Sequence, residues 1–314
     1  WDGSKPVVII NSIGISEGCK LTIQAGTKVY LDNSSSIFVE GTLEVLGSFE
    51  NPVCFTGVRL EEGFEDLPGQ WGQNSTQNGI LFLDGSKDNI IDWAIIENST
   101  TAIRMGGVYD VIRPDLRISN SIIKNMAGDG IISFGGNIIA YNNLITNCGN
   151  TGISIFLGGE HGIYHNTIAN YSFTFDREDP GFIITDFFPD STGSSNEINA
   201  MTIDIQNNIL WGDQDDEFLF SFQSNENLIQ TANNFIKIND EELQTFLTGN
   251  ENILMTNTDD LKFKDNRDYN FELDTLSPAK DKGNTLLLDI IDSDLNNNSR
   301  NDGMPDMGAY ERQD

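Results

Sequence analysis

Two histidines, His161 and His165, are the residues best suited to acid–base or metal chemistry in this chain of 314 residues. They are four positions apart, and an even offset places both on the same face of a β-strand. They could therefore act as a general base and its partner, or as two metal ligands. No His-Glu-x-x-His motif and no third ligand accompany them, so the sequence does not support a zinc site.

The segment 172–200 is unusually rich in acidic and aromatic residues. Its candidate catalytic residues are Asp176, Arg177, Asp179 and Asp186, and its candidate binding residues are Phe175, Phe182, Phe187 and Phe188. Glycosidases need two carboxylates about 5–10 Å apart, and carboxylates also bind Ca²⁺. The chain holds 48 acidic residues, so a merely solvated loop is the alternative. The aromatic residues favour a surface that stacks on sugars or contacts a partner.

Oxygen-bearing side chains alternate near the C-terminal end. They are Asp292, Asp294, Asn296 and Asn298. This spacing is typical of a Ca²⁺ loop, although position 12 counted from Asp292 is Gly303 and not the glutamate of an EF-hand. Ca²⁺ is therefore the candidate cofactor of this chain.

The balance of charge limits the partners of the protein. Asp and Glu number 48 against 18 Lys and Arg, which gives a net charge of −30. This excludes a nucleic-acid binder that neutralises phosphates, and no apolar run approaches the 18–20 residues of a membrane span. Arg104, Arg113, Arg117 and Lys124 are better interpreted as ion-pair partners than as a site for an acidic glycan.

Short apolar runs that end in asparagine recur along the chain. Asn98, Asn125, Asn147 and Asn170 close four of them, at intervals of 27, 22 and 23 residues. Each repeat of about 22 residues holds three runs of three to five residues, and β-branched residues dominate them. Strands this short are stable only when each pairs in parallel with its equivalent one coil later, about 4.8 Å away. The repeats therefore predict a solenoid of stacked coils.

The same alignment predicts the columns in which individual residues lie. Asn125 and Asn147 should stack as an inward-facing ladder at a turn, because asparagine satisfies turn backbone groups and tolerates left-handed geometry. His165 falls in the column of asparagines at another turn, and His161 falls in a column of aliphatic residues. Both histidines are thus interpreted as structural. Gly-Gly pairs that recur in register fit turns with positive φ.

Several motifs resemble those of known proteins. The N-terminal "GCKLTIQAGTKVYLDNSSSIFVEGTLEVLGSFENPVCFTG" with the following "GQWG" is similar to the first coils of bacterial surface β-helix proteins. The C-terminal "SPAKDKGN" and "PDMGAYE" resemble the ending of a secreted or surface-anchored group of such proteins. The resemblance is to right-handed parallel β-helix proteins of the pectate-lyase-like type. Lyases of this type use a Ca²⁺-bound uronate and a basic residue, for which Arg177 is the nearest candidate in segment 172–200.

The resulting fold prediction is an all-β, single-stranded, right-handed parallel β-helix of about ten coils. It occupies residues 1–255, with insertions at 57–78 and 172–200, and residues 256–314 form an irregular C-terminal cap of the same domain. Within the cap, Ser277 to Tyr310 should cover the open core at the end of the coils. By the resemblance this segment closes the structure, and Arg300 pairs with an acid such as Asp306 or Glu311.

Three functions are consistent with the sequence. The first is a bacterial protein outside the cytoplasm, attached to the surface or secreted, that binds a polysaccharide or another surface partner. The second is a polysaccharide lyase or glycoside hydrolase with its site near 172–200, and the third is a structural stalk or adhesin. A monomer is expected, without nucleic acid and without insertion into a membrane. Because the chain starts at Trp1 without Met, we expect that a signal segment has been removed.

Overall fold

The computed structural model describes residues 1–73, 78–110, 112–171, 176–188, 197–256, 261–301 and 303–313. Short strands recur in a fixed order through three sheets, here called sheets I, II and III. Each strand pairs in parallel with its equivalent in the next coil. The described residues thus form a right-handed parallel β-helix with eight complete coils, and the fold class predicted from the repeats is confirmed.

The strands are short, as the repeats predict. Sheet I contains β1 (Val7–Ile9), β4 (Lys28–Leu31), β7 (Val53–Gly57), β10 (Ala94–Glu97), β13 (Ile122–Met126), β16 (Leu144–Cys148), β19 (Thr167–Asn170), β22 (Ile209–Gly212), β25 (Phe235–Lys237) and β26 (Ile253–Met255). Sheet II contains β2 (Ile13–Ile15), β5 (Ile37–Val39), β8 (Ile80–Phe82), β11 (Ile103–Met105), β14 (Ile131–Phe134), β17 (Ile153–Phe156), β20 (Phe182–Thr185) and β23 (Phe218–Ser221). Sheet III contains β3 (Lys20–Gln24), β6 (Thr42–Leu46), β9 (Asn89–Asp92), β12 (Asp115–Ser119), β15 (Asn137–Tyr141), β18 (Gly159–Tyr164), β21 (Met201–Gln206) and β24 (Leu228–Ala232).

The core fills the interior of the coils. Alternate residues of each strand point inward, and equivalent positions in successive coils stack on one another. In sheet III, for example, Ile118, Ala140, Ile163 and Ile205 form one buried column. One continuous apolar cluster therefore runs from the first coil to the last.

The corner between sheets III and I carries two adjacent columns of polar residues. The first has left-handed backbone geometry and contains Asn120, Asn142, His165, Asn207 and Asn233. The second is a ladder in which each amide donates to the next, and it contains the buried Asn143, Asn166, Asn208 and Asn234 and the half-buried Asn252. The ladder side chains also accept backbone N–H groups of the preceding coil. The corner thus satisfies its own backbone groups without water.

The ladder predicted for Asn125 and Asn147 forms, but it does not face inward. Asn147 Nδ2 donates to Asn125 Oδ1 at 2.7 Å, and both residues have positive φ. Tyr269, which belongs to the C-terminal part of the chain, accepts a second hydrogen bond from Asn147 at 3.2 Å. Since that part packs on the outside of the coils, this ladder is on the outer side of the corner. The inward orientation was wrong because a left-handed residue turns its side chain away from the core.

Segment 172–200 is not a single insertion. Strand β20 lies inside it and pairs with β17 and β23 in sheet II. Phe182 is fully buried and belongs to the core. The prediction that Phe182 lies on a binding surface is therefore wrong, because the Phe-Ile-Ile run of β20 was read as part of a loop. What remains are two excursions, one at the corner before β20 and one at the corner after it.

A short helix closes the C-terminal end of the coils. Helix α1 (Glu241–Leu247) follows β25, and Asp240 caps it by accepting the amides of Glu242 and Leu243. In the incomplete coil after the eighth, α1 lies between the sheet I strands β25 and β26, where the earlier coils have their sheet II and sheet III strands. Its Leu247 is fully buried in the main core, and the ring of Phe246 lies 4.5 Å from that of Phe220. The sequence alone predicts a short helix over 240–247, because Asp240, Glu241 and Glu242 supply an acidic first turn and Leu243, Phe246 and Leu247 share one face, and the structure confirms it.

Residues 261–313, here called the strap, run back along the side of the coils. The strap begins with an antiparallel hairpin of β27 (Phe263–Asp265) and β28 (Asn270–Leu273). Further along, Asn284 N donates to Asn207 Oδ1 at 2.8 Å, and Arg300 donates to Asn142 Oδ1 at 3.0 Å. The prediction that Ser277 to Tyr310 covers the end of the core is wrong. The strap instead hydrogen-bonds to the first asparagine column and packs on the outer face of sheet I.

Within the described residues, none of the helical structure is long and apolar enough to cross a membrane.

Candidate functional site

The corner between sheets II and III has walls and a floor. In coils 5 and 6 the corner is tight, and residues 135–136 and 157–158 suffice to connect the strands. In coils 4 and 7 the connection spans more positions, of which the structure describes 106–110 and 112–114 in coil 4, and 186–188 and 197–200 in coil 7. Because adjacent coils are about 4.8 Å apart, the described parts of these two corners are about 14 Å from each other. They bracket a cleft, here called the corner cleft.

Glycines occupy the tight corners beside the corner cleft, and Gly159 lines the cleft itself. Gly135 and Gly158 have φ of 76°, as the recurring Gly-Gly pairs predicted. A Cβ on Gly135 would lie 1.4 Å from Arg113 Nη1, so the guanidinium passes directly over this glycine. Arg113 Nη1 then donates to the Leu157 carbonyl at 2.6 Å. The arginine from one wall is thereby fixed across the floor.

The corner cleft continues onto the outer face of sheet III. The cleft has a volume of about 430 Å³ and the adjoining groove about 560 Å³. Asn137, Glu160 and Thr202 line both, so the two form one depression, here called the sheet III groove. Its residues come from strands β9, β12, β15, β18 and β21, which places it on five consecutive coils.

An aromatic side chain folds over Gly162 in the middle of the sheet III groove. Gly162 interrupts the outward column of Arg117, Ile139 and Asp204. A Cβ at Gly162 would lie 2.6 Å from Tyr164 Cε2 and 2.7 Å from Tyr164 Oη, so the ring occupies the space above the glycine. The hydroxyl donates to Asp204 Oδ2 at 3.3 Å. Because Gly162 has no side chain, the Tyr164 ring can occupy the space above it.

Asp204 is held in place from both sides. Gln206 Nε2 donates to both of its carboxylate oxygens at 2.8 Å, and Tyr164 donates to one of them. Burial and the nearby Asp204 charge raise the pKa of Tyr164 to about 12. The phenol therefore stays protonated at ordinary pH and acts as a hydrogen-bond donor and a stacking surface. It is unsuited to act as a base.

The two histidines lie in the columns predicted for them. His161 pairs with Ile138 and Ile203 in sheet III and is buried, with Nε2 donating to the Gly158 carbonyl at 3.1 Å. Burial lowers its pKa to about 4. His165 is in the asparagine column and accepts from Asn207 Nδ2 at 2.8 Å. Burial, followed by the charge of Arg300, lowers the pKa of His165 well below its usual value.

Arg177 lies in a buried ion pair away from the sheet III groove. Its guanidinium donates to both carboxylate oxygens of Glu217, at 2.7 and 3.0 Å, and to Asp213 at 2.7 Å. Glu217 is fully buried, and burial raises its pKa although the arginine opposes this. These contacts tie the corner before β20 to the next coil. Asp176 and Asp179 are exposed in the same excursion.

Asp186 also has structural contacts. Its carboxylate accepts the amides of Gln223 and Ser224 and the Asn227 Nδ2, at 2.6–3.0 Å. It is fully buried and joins the long corner of coil 7 to the corner of coil 8. Asp186 thereby supports one wall of the corner cleft without lining it.

Only part of the predicted aromatic surface lies within the residues that the structure describes. Phe188 packs edge-on against Phe134 and Phe156, with ring centroids 5.1 Å from each. Phe187 forms an antiparallel bridge with Ile198. Phe175 lies outside the described residues. Phe187 and Phe188 thus pack beside sheet II and at the base of the wall, whereas Asn199 and Ala200 of the same excursion line the corner cleft.

The C-terminal oxygen-rich loop is closed by N–H donors. Asp294 Oδ1 accepts the amides of Asn296 and Asn298, and Oδ2 accepts the Glu311 amide at 2.6 Å. Asp292 contributes its backbone carbonyl, which accepts the Arg300 amide at 2.8 Å. The contacts describe a self-contained turn. In the part of the chain that the structure describes, no group of three or more His, Cys, Asp or Glu side chains is arranged to hold a metal ion.

Sequence reasoning missed the sheet III groove. Its floor consists of outward residues from five coils, which are far apart in the chain. The usable signal was the contrast between tight Gly-Gly corners and the long corners around them. A second signal was Gly162, a residue without a side chain in an otherwise filled outward column.

The chain matches no protein-family model. A search of curated proteins finds no match either.

Proposed function

We propose that this protein binds a polysaccharide in the sheet III groove. The observation that carries the proposal is the Tyr164 ring, which lies over Gly162 in an open depression lined by both apolar and polar residues. Tyrosine combines a flat apolar face with a polar tip, and binding sites place few polar groups around such surfaces. The half-exposed Ile90 and the exposed Ile139 extend the apolar floor.

The shape of the depression supports a linear ligand. It runs from the corner cleft, between walls about 14 Å apart, onto the open face of sheet III. Exposed Arg117 and Glu160 and half-exposed Asp115 line it and can hydrogen-bond to hydroxyl groups. A chain of several sugar rings can therefore contact successive coils, with rims that stay wet.

Glycan binding measured by calorimetry on a panel of acidic, neutral and amino oligosaccharides tests the proposal. Tyr164→Ala removes the flat ring and should weaken binding about 10-fold or more, while circular dichroism stays unchanged. Gly162→Val should have the same effect by displacing the ring. Tyr30→Ala is the matched control, because Tyr30 points outward from the same kind of strand in sheet I. Equal binding by all three variants would refute the site.

A glycoside hydrolase or lyase is the second candidate, and two carboxylates favour it. Glu160 and Asp204 both point into the sheet III groove from adjacent strands, two positions out of register. Their Cα atoms are therefore about 8 Å apart, which lets the side chains reach the roughly 6.5–9.5 Å between carboxyl groups that a water-mediated displacement needs. New reducing ends or unsaturated products that vanish in Glu160→Gln and Asp204→Asn would establish catalysis. Unchanged oligosaccharides would leave binding alone.

The location outside the cytoplasm and the kinship with surface β-helix proteins are part of the same proposal. What supports them is the resemblance of the "PDMGAYE" motif, in which Met307 and Ala309 are buried against the coils and so have a structural role. Protease accessibility on intact cells of the producing organism tests the location. If no glycan binds, the remaining alternative is a structural stalk or adhesin.

A further inference from the structure

Acidic side chains outnumber basic ones in the lining of the sheet III groove. Five carboxylates face the groove and its corner cleft. They belong to Asp88, Asp115, Glu160, Asp204 and Glu226. Two guanidiniums, those of Arg113 and Arg117, are the cationic groups in the same lining. With a net charge of −30 on the whole chain, the field in the depression repels a polyanion.

The positive charges nearest the groove are partly committed to the protein. Arg113 is bound to the Leu157 carbonyl. Lys87 lies 3.6 Å from Asp115 and donates to the Arg113 carbonyl at 2.6 Å. Arg117 is exposed on β12, two coils from Gly162. The carboxylates of Glu160 and Asp204 are closer to the ring, because they lie on the strand of Tyr164 and on the next one.

Resting on the proposed function, we propose that the platform made by Glu160, Gly162, Tyr164 and Asp204 binds an amino sugar in its protonated form. The face of the sugar ring stacks on Tyr164. Its ammonium group donates to the Asp204 carboxylate, which Gln206 and Tyr164 already orient, or to Glu160 at the rim. The ligand class is a glycan with free amino groups, and uronate polymers are excluded by charge.

A basic peptide would pair with the carboxylates but would not use the face of the Tyr164 ring. Lysine side chains carry an ammonium on a flexible stem, whereas the Tyr164 ring offers an open flat face. A sugar ring uses this face with little loss of conformational freedom. The dependence of binding on Tyr164 therefore distinguishes the two ligands.

The test compares four probes on the intact chain by calorimetry at mildly acidic pH: a glucosamine hexamer, an N-acetylglucosamine hexamer, a galacturonate hexamer and hexalysine. We expect the glucosamine hexamer to bind at least about 10-fold more tightly than its N-acetylated form, and the preference to shrink with salt. Glu160→Gln and Asp204→Asn should each weaken it about 3- to 10-fold. Glu62→Gln, an exposed acid in another corner, should not.

Each outcome is decisive. Equal binding of the amino and N-acetylated hexamers overturns the amino-sugar inference but leaves polysaccharide binding intact. Preference for galacturonate does the same. Binding of hexalysine as tight as that of the glucosamine hexamer, with no effect of Tyr164→Ala, reduces the groove to unspecific charge attraction and overturns the inference. No binding by any oligosaccharide overturns both proposals.

Discussion

Single polar residues decide how the corners of this β-helix are held. Asn166 shows the principle, because it is fully buried and uses every polar atom of its side chain. Its Nδ2 donates to the Ala140 carbonyl and to Asn208 Oδ1, and its Oδ1 accepts from Asn143. Removing one member of such a buried network leaves the polar groups of its neighbours without hydrogen bonds. The loss of stability then exceeds the contribution of a single hydrogen bond.

Asn166→Ala should lower the free energy of unfolding by about 1–3 kcal/mol, since it leaves the Asn143 amide and the Ala140 carbonyl buried without partners. Denaturant titration measures the loss. Asn250→Ala, at an exposed turn position, serves as the control and should cost less than about 0.5 kcal/mol. Equal effects of the two substitutions would contradict the ladder.

His161 should make the protein sensitive to acid. Its pKa is lowered to about 4 in the folded protein, against about 6.5 in an unfolded chain. The unfolded state therefore binds the proton first, and stability falls as the pH drops from about 6.5 towards 4. The linked loss is about 3 kcal/mol. His161→Leu, which fits the aliphatic column of Ile138 and Ile203, should remove this part of the pH dependence. An unchanged slope would contradict it.

At the scale of elements, the coils and helix α1 were predictable, whereas the position of the strap and strand β20 were not. The spacing of asparagines assigned His165 and His161 to their columns, because a repeat fixes register. The asparagine spacing did not predict the position of the strap, because that position depends on which exposed polar groups of the coils the strap can hydrogen-bond to. Likewise β20 escaped notice, because an insertion on each side removed the spacing that identifies a strand.

Helix α1 should matter for stability at the end of the coils. Leu247→Ala should cost about 2–5 kcal/mol, because this fully buried side chain fills the last layer of the core. Leu276→Ala, at a side chain that is 71% exposed, should be nearly neutral. Thermal unfolding of the two variants beside the parent measures the difference. A neutral Leu247 variant would show that the strap or another element closes the core.

Removing the strap beyond Lys282, and keeping its hairpin, tests the role of the strap's C-terminal part at the scale of the whole molecule. A chain ending at Lys282 lacks the contacts of Asn284, Arg300 and Gly308 with the asparagine column. We expect retained β-structure in circular dichroism, a midpoint lower by at least about 5 °C, and binding of a dye for exposed apolar surface. A truncated chain with the parent's midpoint would show that the part of the strap after Lys282 is dispensable.

The charge of the whole molecule predicts an effect of salt. A net charge of −30 makes compact states repel themselves, and salt screens this repulsion within about 10 Å at 0.1 M. The thermal midpoint should therefore rise as sodium chloride is added. Sodium chloride and choline chloride should act alike if screening is the cause. A falling midpoint would mean that attractive ion pairs such as Arg300–Glu311, at 3.0 Å, outweigh the repulsion.

The return of the strap along the coils also sets the path of mechanical force. Trp1 lies at the first coil, where its ammonium donates to the Thr22 carbonyl. Glu311 lies beside the asparagine that follows the fifth coil, through Arg300. Tension applied between the two ends would load coils 1 to 5 and the strap, over roughly 20 Å. Coils 6 to 8 and α1 would lie outside the direct line of load and remain folded until the strap detaches.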